Sequence, residues 1–166
     1  LVVVLAVDLL GGGSASDSGR GADRVVLSEY ELLGRAETFD RPVYWFGPRP
    51  GTVAYELEAD SKGDTYIRYL GEGDRDPRAD SLTVGTYPVP EALASLERAA
   101  SGVAGGEAIS RREGFSILGS SDSQSAYLVF EEQPELQVEV YSPRPGEAKR
   151  LAGSGALTTL HRAPPP

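Results

Sequence analysis

Residues 52–70 read Thr52-Val53-Ala54-Tyr55-Glu56-Leu57-Glu58-Ala59, then Asp60-Ser61-Lys62-Gly63-Asp64, then Thr65-Tyr66-Ile67-Arg68-Tyr69-Leu70. Val53, Tyr55 and Leu57 alternate with Ala54, Glu56 and Glu58, which is the period of a half-buried strand. The middle segment is turn chemistry, and the third returns as the second arm of a hairpin. On alternation, Tyr66 and Arg68 share one face of that arm while Ile67 and Tyr69 share the other.

Working outward, the acidic stretch from Gly71 to Asp80 predicts a solvated loop, and Ser81 to Tyr87 predicts another strand, ended by Pro88. Pro90 stands where the first helical residue is expected, and Leu93, Leu96, Ala100 and Val103 follow at helical spacing. Three further strands are predicted over Gly114 to Gly119, Ser125 to Glu131 and Leu136 to Ser142. Pro145 opens a short helix through Ala152, and Ala156 to Leu160 forms a last strand or an extended tail. On the N-terminal side, Val43 to Phe46 reads as a strand stopped by Gly47-Pro48-Arg49-Pro50-Gly51, whose prolines forbid ladder bonds. From Asp23 to Gly34, Val26, Tyr30 and Leu33 fall on one helical face, which predicts a helix with Asp23 as its N-cap and Gly34 as its C-cap. Short connections leave little room for crossovers, so the pairing should be mostly antiparallel. The expected fold is α+β, a largely antiparallel sheet of six or seven strands with two or three helices packed on it, over residues 24–160.

The chain has 166 residues, enough for one domain, with 16 Lys and Arg against 25 Asp and Glu and a net charge of -9. That balance argues against a nucleic-acid partner, which requires clustered cations. With no Cys, disulfides, thiolate zinc, iron–sulfur clusters and Cys nucleophiles are excluded. With no Met, Leu1 is not expected to be the encoded first residue.

Residues 1–10, LVVVLAVDLL, are too short to span a bilayer, which needs about 20 residues. An apolar run that starts abruptly and gives way to the Gly/Ser-rich stretch of residues 11–23 reads as the end of a membrane helix or of a signal segment. The alternative is a buried strand, given its β-branched content. The membrane reading is favoured because of the tether-like composition that follows. It implies a single-pass or secreted protein with its domain outside the cytoplasm. Residues 161–166 form a Pro-rich tail.

A Ser-His-Asp triad would have to use His161, the one histidine, beside a Pro-rich terminus that offers neither an orienting group nor a dry site. Asp74, Asp76 and Asp80 do not complete an EF-hand pattern, and Arg75 and Arg78 would repel the ion. Neither Gly71-Glu72-Gly73 nor Gly102 to Gly106 matches a phosphate-binding fingerprint. A carboxylate pair could be drawn from Glu56, Glu58, Glu131, Glu132, Glu135 or Glu139, but spacing alone cannot bring two of them together. No catalytic residue, metal or cofactor is therefore expected.

What remains is aromatic. Tyr44, Trp45, Tyr55, Tyr66, Tyr69, Tyr87, Tyr127 and Tyr141 all fall on predicted strands. The plainer account makes them ordinary strand residues with buried rings and rim hydroxyls. The functional account makes some of them a platform for sugars, peptides or another protein, with ligand contacts at Tyr44, Trp45, Tyr66, Arg68 and Tyr87.

The block Arg41-Pro42-Val43-Tyr44-Trp45-Phe46-Gly47-Pro48, followed by Tyr55-Glu56-Leu57, Tyr66-Ile67-Arg68-Tyr69-Leu70, Leu82 to Pro88 and Val138-Glu139-Val140-Tyr141, resembles uncharacterised proteins of high-GC actinobacteria. Those look like membrane-tethered or secreted domains with a PVYW-x-G hallmark, and the likeness covers residues 41–155. The resemblance implies a membrane-linked, extracytoplasmic setting and no activity. The expected role is accordingly non-enzymatic binding of a protein or cell-envelope polymer, with the membrane reached through the N-terminal segment. The alternative is a carboxylate-based hydrolase acting on envelope glycan through Glu56, Glu131 or Glu139.

Overall fold

The hairpin of residues 52–70 forms inside the sheet, one strand in from its edge. In the computed structural model, which describes residues 23–73, 77–102 and 109–161, strands β3 (Thr52–Ala59) and β4 (Thr65–Gly71) pair with Tyr55 opposite Tyr69, Glu56 opposite Arg68 and Glu58 opposite Tyr66. Asp60 sets the turn between them. Its Oδ1 accepts from the backbone N–H groups of Lys62 at 2.8 Å and Asp64 at 3.0 Å, and Gly63 takes the φ of 90° that closes it.

Strands β1 (Asp23–Leu27), β5 (Leu82–Pro88), β6 (Ser110–Arg112), β7 (Phe115–Leu118), β8 (Ser125–Phe130) and β9 (Leu136–Tyr141) complete an eight-stranded sheet in the order β1-β3-β4-β5-β9-β8-β7-β6. Every pairing in it is antiparallel. Two meanders thus meet at a central β5–β9 ladder. Strands β2 (Tyr44–Trp45) and β10 (Thr158–Thr159) form a separate two-stranded sheet.

One face of the large sheet carries the main core. Tyr55, Leu57, Ile67, Tyr69, Val84, Val138, Val140 and Leu128 pack against Leu32 of α1 (Glu29–Arg35), Val43 to Phe46, Leu160, and Ala148, Leu151 and Ala152 of α4 (Glu147–Ala152). On the opposite face, Ala92, Leu96 and Ala100 of α3 (Ala92–Gly102) cover Leu118 and Val129 at the β7–β8 end. The short helix α2 (Pro77–Asp80) lies before β5 and is tied to β9 by the Tyr141 hydroxyl, which donates to the Ala79 carbonyl at 3.1 Å.

The α+β class and the antiparallel sheet agree with the sequence reading, but the sheet holds eight strands rather than six or seven. Among the described residues, three helices exceed a single turn. The expected helix over Asp23 to Gly34 is a strand followed by a shorter helix, because Ser28, not Asp23, is the N-cap. The Ser28 hydroxyl accepts from Glu31 N–H, while the Glu31 carboxylate accepts from Ser28 N–H at 2.8 Å, a complete capping box. Gly34 lies inside α1, which runs on into a 3₁₀ turn at Ala36–Thr38. The helix expected at Pro90 starts at Ala92, after Glu91 adopts a φ of 52°. Residues 1–22, 74–76, 103–108 and 162–166 lie outside the described residues, and with them the apolar N-terminal run, nearly all of the linker and tail, Val103, and Asp74 and Asp76 of the acidic loop, whose Asp80 ends α2. Among the described residues, no helix is long and apolar enough to cross a membrane.

Leu128 is fully buried where β8 meets the main core. Leu128→Ala should lower the unfolding free energy by about 2–5 kcal/mol, through lost transfer energy and a residual cavity. Urea denaturation monitored by Trp45 fluorescence measures this directly.

Candidate functional site

Strand pairing lines up one row of side chains across the face opposite the main core. Arg24 stands opposite Glu58, Glu58 opposite Tyr66, Tyr66 opposite Gly85, Gly85 opposite Glu139, Glu139 opposite Tyr127, and Tyr127 opposite Leu118. Directly opposed residues of antiparallel strands point to the same side, so this row and its neighbour (Glu56, Arg68, Thr83, Tyr141 and Ser125) form one surface. Two polar groupings occupy it.

The first is a quartet of charges. Arg68 Nη1 bridges Glu56 Oε1 at 2.7 Å and Glu58 Oε2 at 2.8 Å, and all three residues are buried. Arg24 adds longer contacts to the same carboxylates, at 3.7 Å to Glu56 and 3.4 Å to Glu58. Glu56 and Glu58 are two apart on β3, so both carboxylates project to the side where Arg68 lies on β4. The guanidinium also stands 5.4 Å from the Tyr66 ring centroid, a cation–π contact.

The second grouping centres on Glu139, which is 7% exposed. Tyr87 donates its hydroxyl to Glu139 Oε2 at 2.7 Å and Ser125 donates to Oε1 at 2.8 Å, and the Tyr127 hydroxyl faces the same carboxylate. The Tyr87 ring reaches it by lying over Gly85, where an added Cβ would overlap the Tyr87 hydroxyl. Tyr66 meets the Tyr87 ring edge-on, with centroids 5.6 Å apart and planes at 76°. Burial pushes the Glu139 carboxyl above its ordinary range, and the hydroxyl donors pull only partly the other way. Burial also raises all three phenols: Tyr66 is pushed up to about 12, and Tyr87 and Tyr127 lie higher still, with the Glu139 charge adding to both.

Of the five residues expected to contact a ligand, Tyr66, Arg68 and Tyr87 come together here, whereas Tyr44 and Trp45 do not. Those two belong to β2, on the other side of the sheet. Tyr44 stacks on Phe130 at 4.5 Å, and Trp45 meets Tyr55 edge-on at 6.1 Å inside the main core. The β2 backbone is anchored there by the Tyr44 N–H to Thr86 Oγ1 and the Phe46 N–H to the Tyr69 hydroxyl. Sequence reasoning offered Glu139 only as one of six carboxylates that spacing could not pair, Tyr127 only as one of eight strand aromatics, and Ser125 not at all. Only the β5–β9 and β8–β9 registers reveal that they converge.

Glu139 forms no hydrolytic pair with Glu58 or Glu131, whereas Glu56 and Glu58 do come close, their oxygens no more than about 5.5 Å apart across Arg68 Nη1, with that cation between them. Glu58 and Glu139 share a row but lie three strand spacings apart, about 14 Å. Glu131 lies four residues along β8 from the Tyr127 position opposite Glu139, about 13 Å away, and is exposed on a turn. Glycosidase pairs are separated by about 5 to 9.5 Å. His161 is exposed, with Nδ1 2.8 Å from the Thr159 carbonyl. Among the described residues no group of three or more His, Asp or Glu could hold a metal. A cleft of about 430 Å³ opens elsewhere, lined among others by Arg41, Lys62, Pro88, Pro90 and Glu135.

Two measurements probe this surface. Arg68→Ala leaves two buried carboxylates without their bridging cation and should reduce stability by about 3–5 kcal/mol in urea denaturation. Because the Glu139 pKa is higher folded than unfolded, the folded state holds that proton more tightly. The contribution is therefore most favourable at low pH and is lost as pH rises from the ordinary carboxyl value near about 4.3 through the folded value. Wild type should lose stability relative to Glu139→Gln as pH is raised from about 4 to about 8, a window in which the three raised phenols do not titrate.

No family model matches the chain, and neither a curated protein nor a solved structure matches it.

Proposed function

We propose that this chain is a non-enzymatic binding domain, held at the cell envelope by its N-terminal segment and displayed outside the cytoplasm, where it engages a protein or envelope polymer. The sheet face of Tyr66, Arg68, Tyr87, Tyr127 and Glu139 is the binding surface. The observation that carries this reading is the seven-strand row, which gathers half-buried tyrosine rings and buried charges on one side of the sheet. Buried ion pairs recover little of their desolvation cost compared with well-packed apolar residues, so such a surface is poor value as core. Features that break the local rules of packing are expected where function requires them. Half-buried tyrosines combine an apolar ring with a polar tip, the composition favoured at recognition surfaces. The apolar run of residues 1–10, the Gly/Ser-rich stretch after it and the actinobacterial resemblance support the envelope setting. Glu139 and Glu131 stand apart from the other carboxylates, and the close pair Glu56 and Glu58 is occupied by Arg68 Nη1, which speaks for binding over glycan hydrolysis.

The test is co-sedimentation of the full chain with purified actinobacterial cell-wall polymer, comparing wild type with Tyr66→Ala, Gln137→Arg and Lys149→Ala. Gln137 is half-buried and paired with Tyr87 on the same surface, whereas Lys149 is on α4, against the opposite face. Tyr66→Ala and Gln137→Arg should each weaken retention at least tenfold, with melting retained and Lys149→Ala unaffected. Equal retention by all four proteins would overturn the reading.

A further inference from the structure

Resting on that binding surface, we propose that the group recognised at Glu139 is a primary ammonium. In the neighbouring quartet, two arginines face two glutamates, so its formal charges balance. Glu139 has no such partner: among the described residues, no Arg, Lys or His nitrogen forms an ion pair with it, and hydroxyls alone bond it. A carboxylate this deeply buried without a counterion is costly to keep ionised.

The direction of the hydrogen bonds then selects the ligand. Tyr87 and Ser125 spend their single protons on the carboxylate, so each presents only oxygen lone pairs to anything that approaches. The carboxylate itself offers about four acceptor positions, of which the Tyr87, Ser125 and Tyr127 hydroxyls fill three and leave one open. The site is therefore rich in acceptors and negatively charged, which disfavours phosphates and carboxylates. An ammonium supplies three donors and the missing positive charge. The perpendicular rings of Tyr66 and Tyr87 add electron-rich surfaces beside it. A quaternary ammonium would satisfy the rings and leave the oxygens unbonded, so a primary amine fits better.

The experiment titrates n-butylammonium chloride into the full chain, with tetramethylammonium chloride and sodium chloride at matched ionic strength, following tyrosine fluorescence and melting temperature. Saturable binding and a raised melting temperature are expected with n-butylammonium, with at least tenfold weaker responses to the other two salts. Glu139→Gln should abolish the response. Tyr87→Phe, which removes one hydroxyl and keeps the ring, should weaken it at least fivefold, so the proposal stays testable should Glu139→Gln fail to fold. No saturable response in wild type, an undiminished response in Glu139→Gln or Tyr87→Phe, or equal responses to all three salts would overturn it. Should polymer retention depend on Tyr66 while n-butylammonium does nothing, the ammonium assignment fails and the binding surface stands. Retention indifferent to Tyr66 fails the surface itself. Displacement of the chain from polymer by n-butylammonium would locate the amine on the polymer, and binding without displacement would identify a free small amine.

Discussion

Arg68 lies between Glu56 and Glu58, and this contact fixes how β3 and β4 can pair. Strand side chains alternate, so sliding one strand by a single residue would move Arg68 to the apolar side and leave both carboxylates buried without their bridging cation. The ion pair is thus a register device more than a source of net stability. Once it holds, Tyr66 must stand opposite Glu58, and the successive ladders carry the same alignment on to Gly85, Glu139 and Tyr127. The geometry around Glu139 is inherited from a contact two strands away.

The two faces of the sheet solve different problems. The main core is apolar side chains sealed by α1, α4 and the β2–β10 pair, with Tyr55 and Tyr69 contributing rings and Tyr69 a hydroxyl bond to Phe46 N–H. The other face is apolar only under α3. Elsewhere it is built from groups that need partners and find them in one another. Gly85 makes this possible: without a side chain at the centre of the sheet, the Tyr87 ring can fold back over its own strand and reach across to β9.

Much of this architecture was legible in the sequence. The strands from β3 to β5 and from β7 to β9 follow from alternation and turn residues, and the sharing of a face by Tyr66 and Arg68 needed only the period of two. The misreadings have local causes. Val26, Tyr30 and Leu33 happen to sit at helical spacing across a boundary at Ser28, whose capping box with Glu31 was the better signal. Ser110–Arg112 has no apolar residue, so β6 was invisible as an isolated segment. Tyr44 and Trp45 read as platform residues because composition cannot say which layer a two-residue strand joins. Glu139 was legible only as one of six carboxylates that spacing could not pair. Its surroundings come from Tyr87 on β5 and Ser125 on β8, and no local pattern reports such distant pairings.

The central ladder has a kinetic consequence. Thr83 pairs with Tyr141, far along the chain, whereas β3–β4, β7–β8 and β8–β9 are joined by short turns. Loop-closure entropy places such distant pairing after the local hairpins. Ser125 and Glu139 belong to the same meander, but Tyr87 belongs to the other. The hydroxyl shell of the carboxylate therefore closes only when the two halves dock. Its completion coincides with the docking of the two meanders, so a partly folded chain would present strands and hairpins but not this surface.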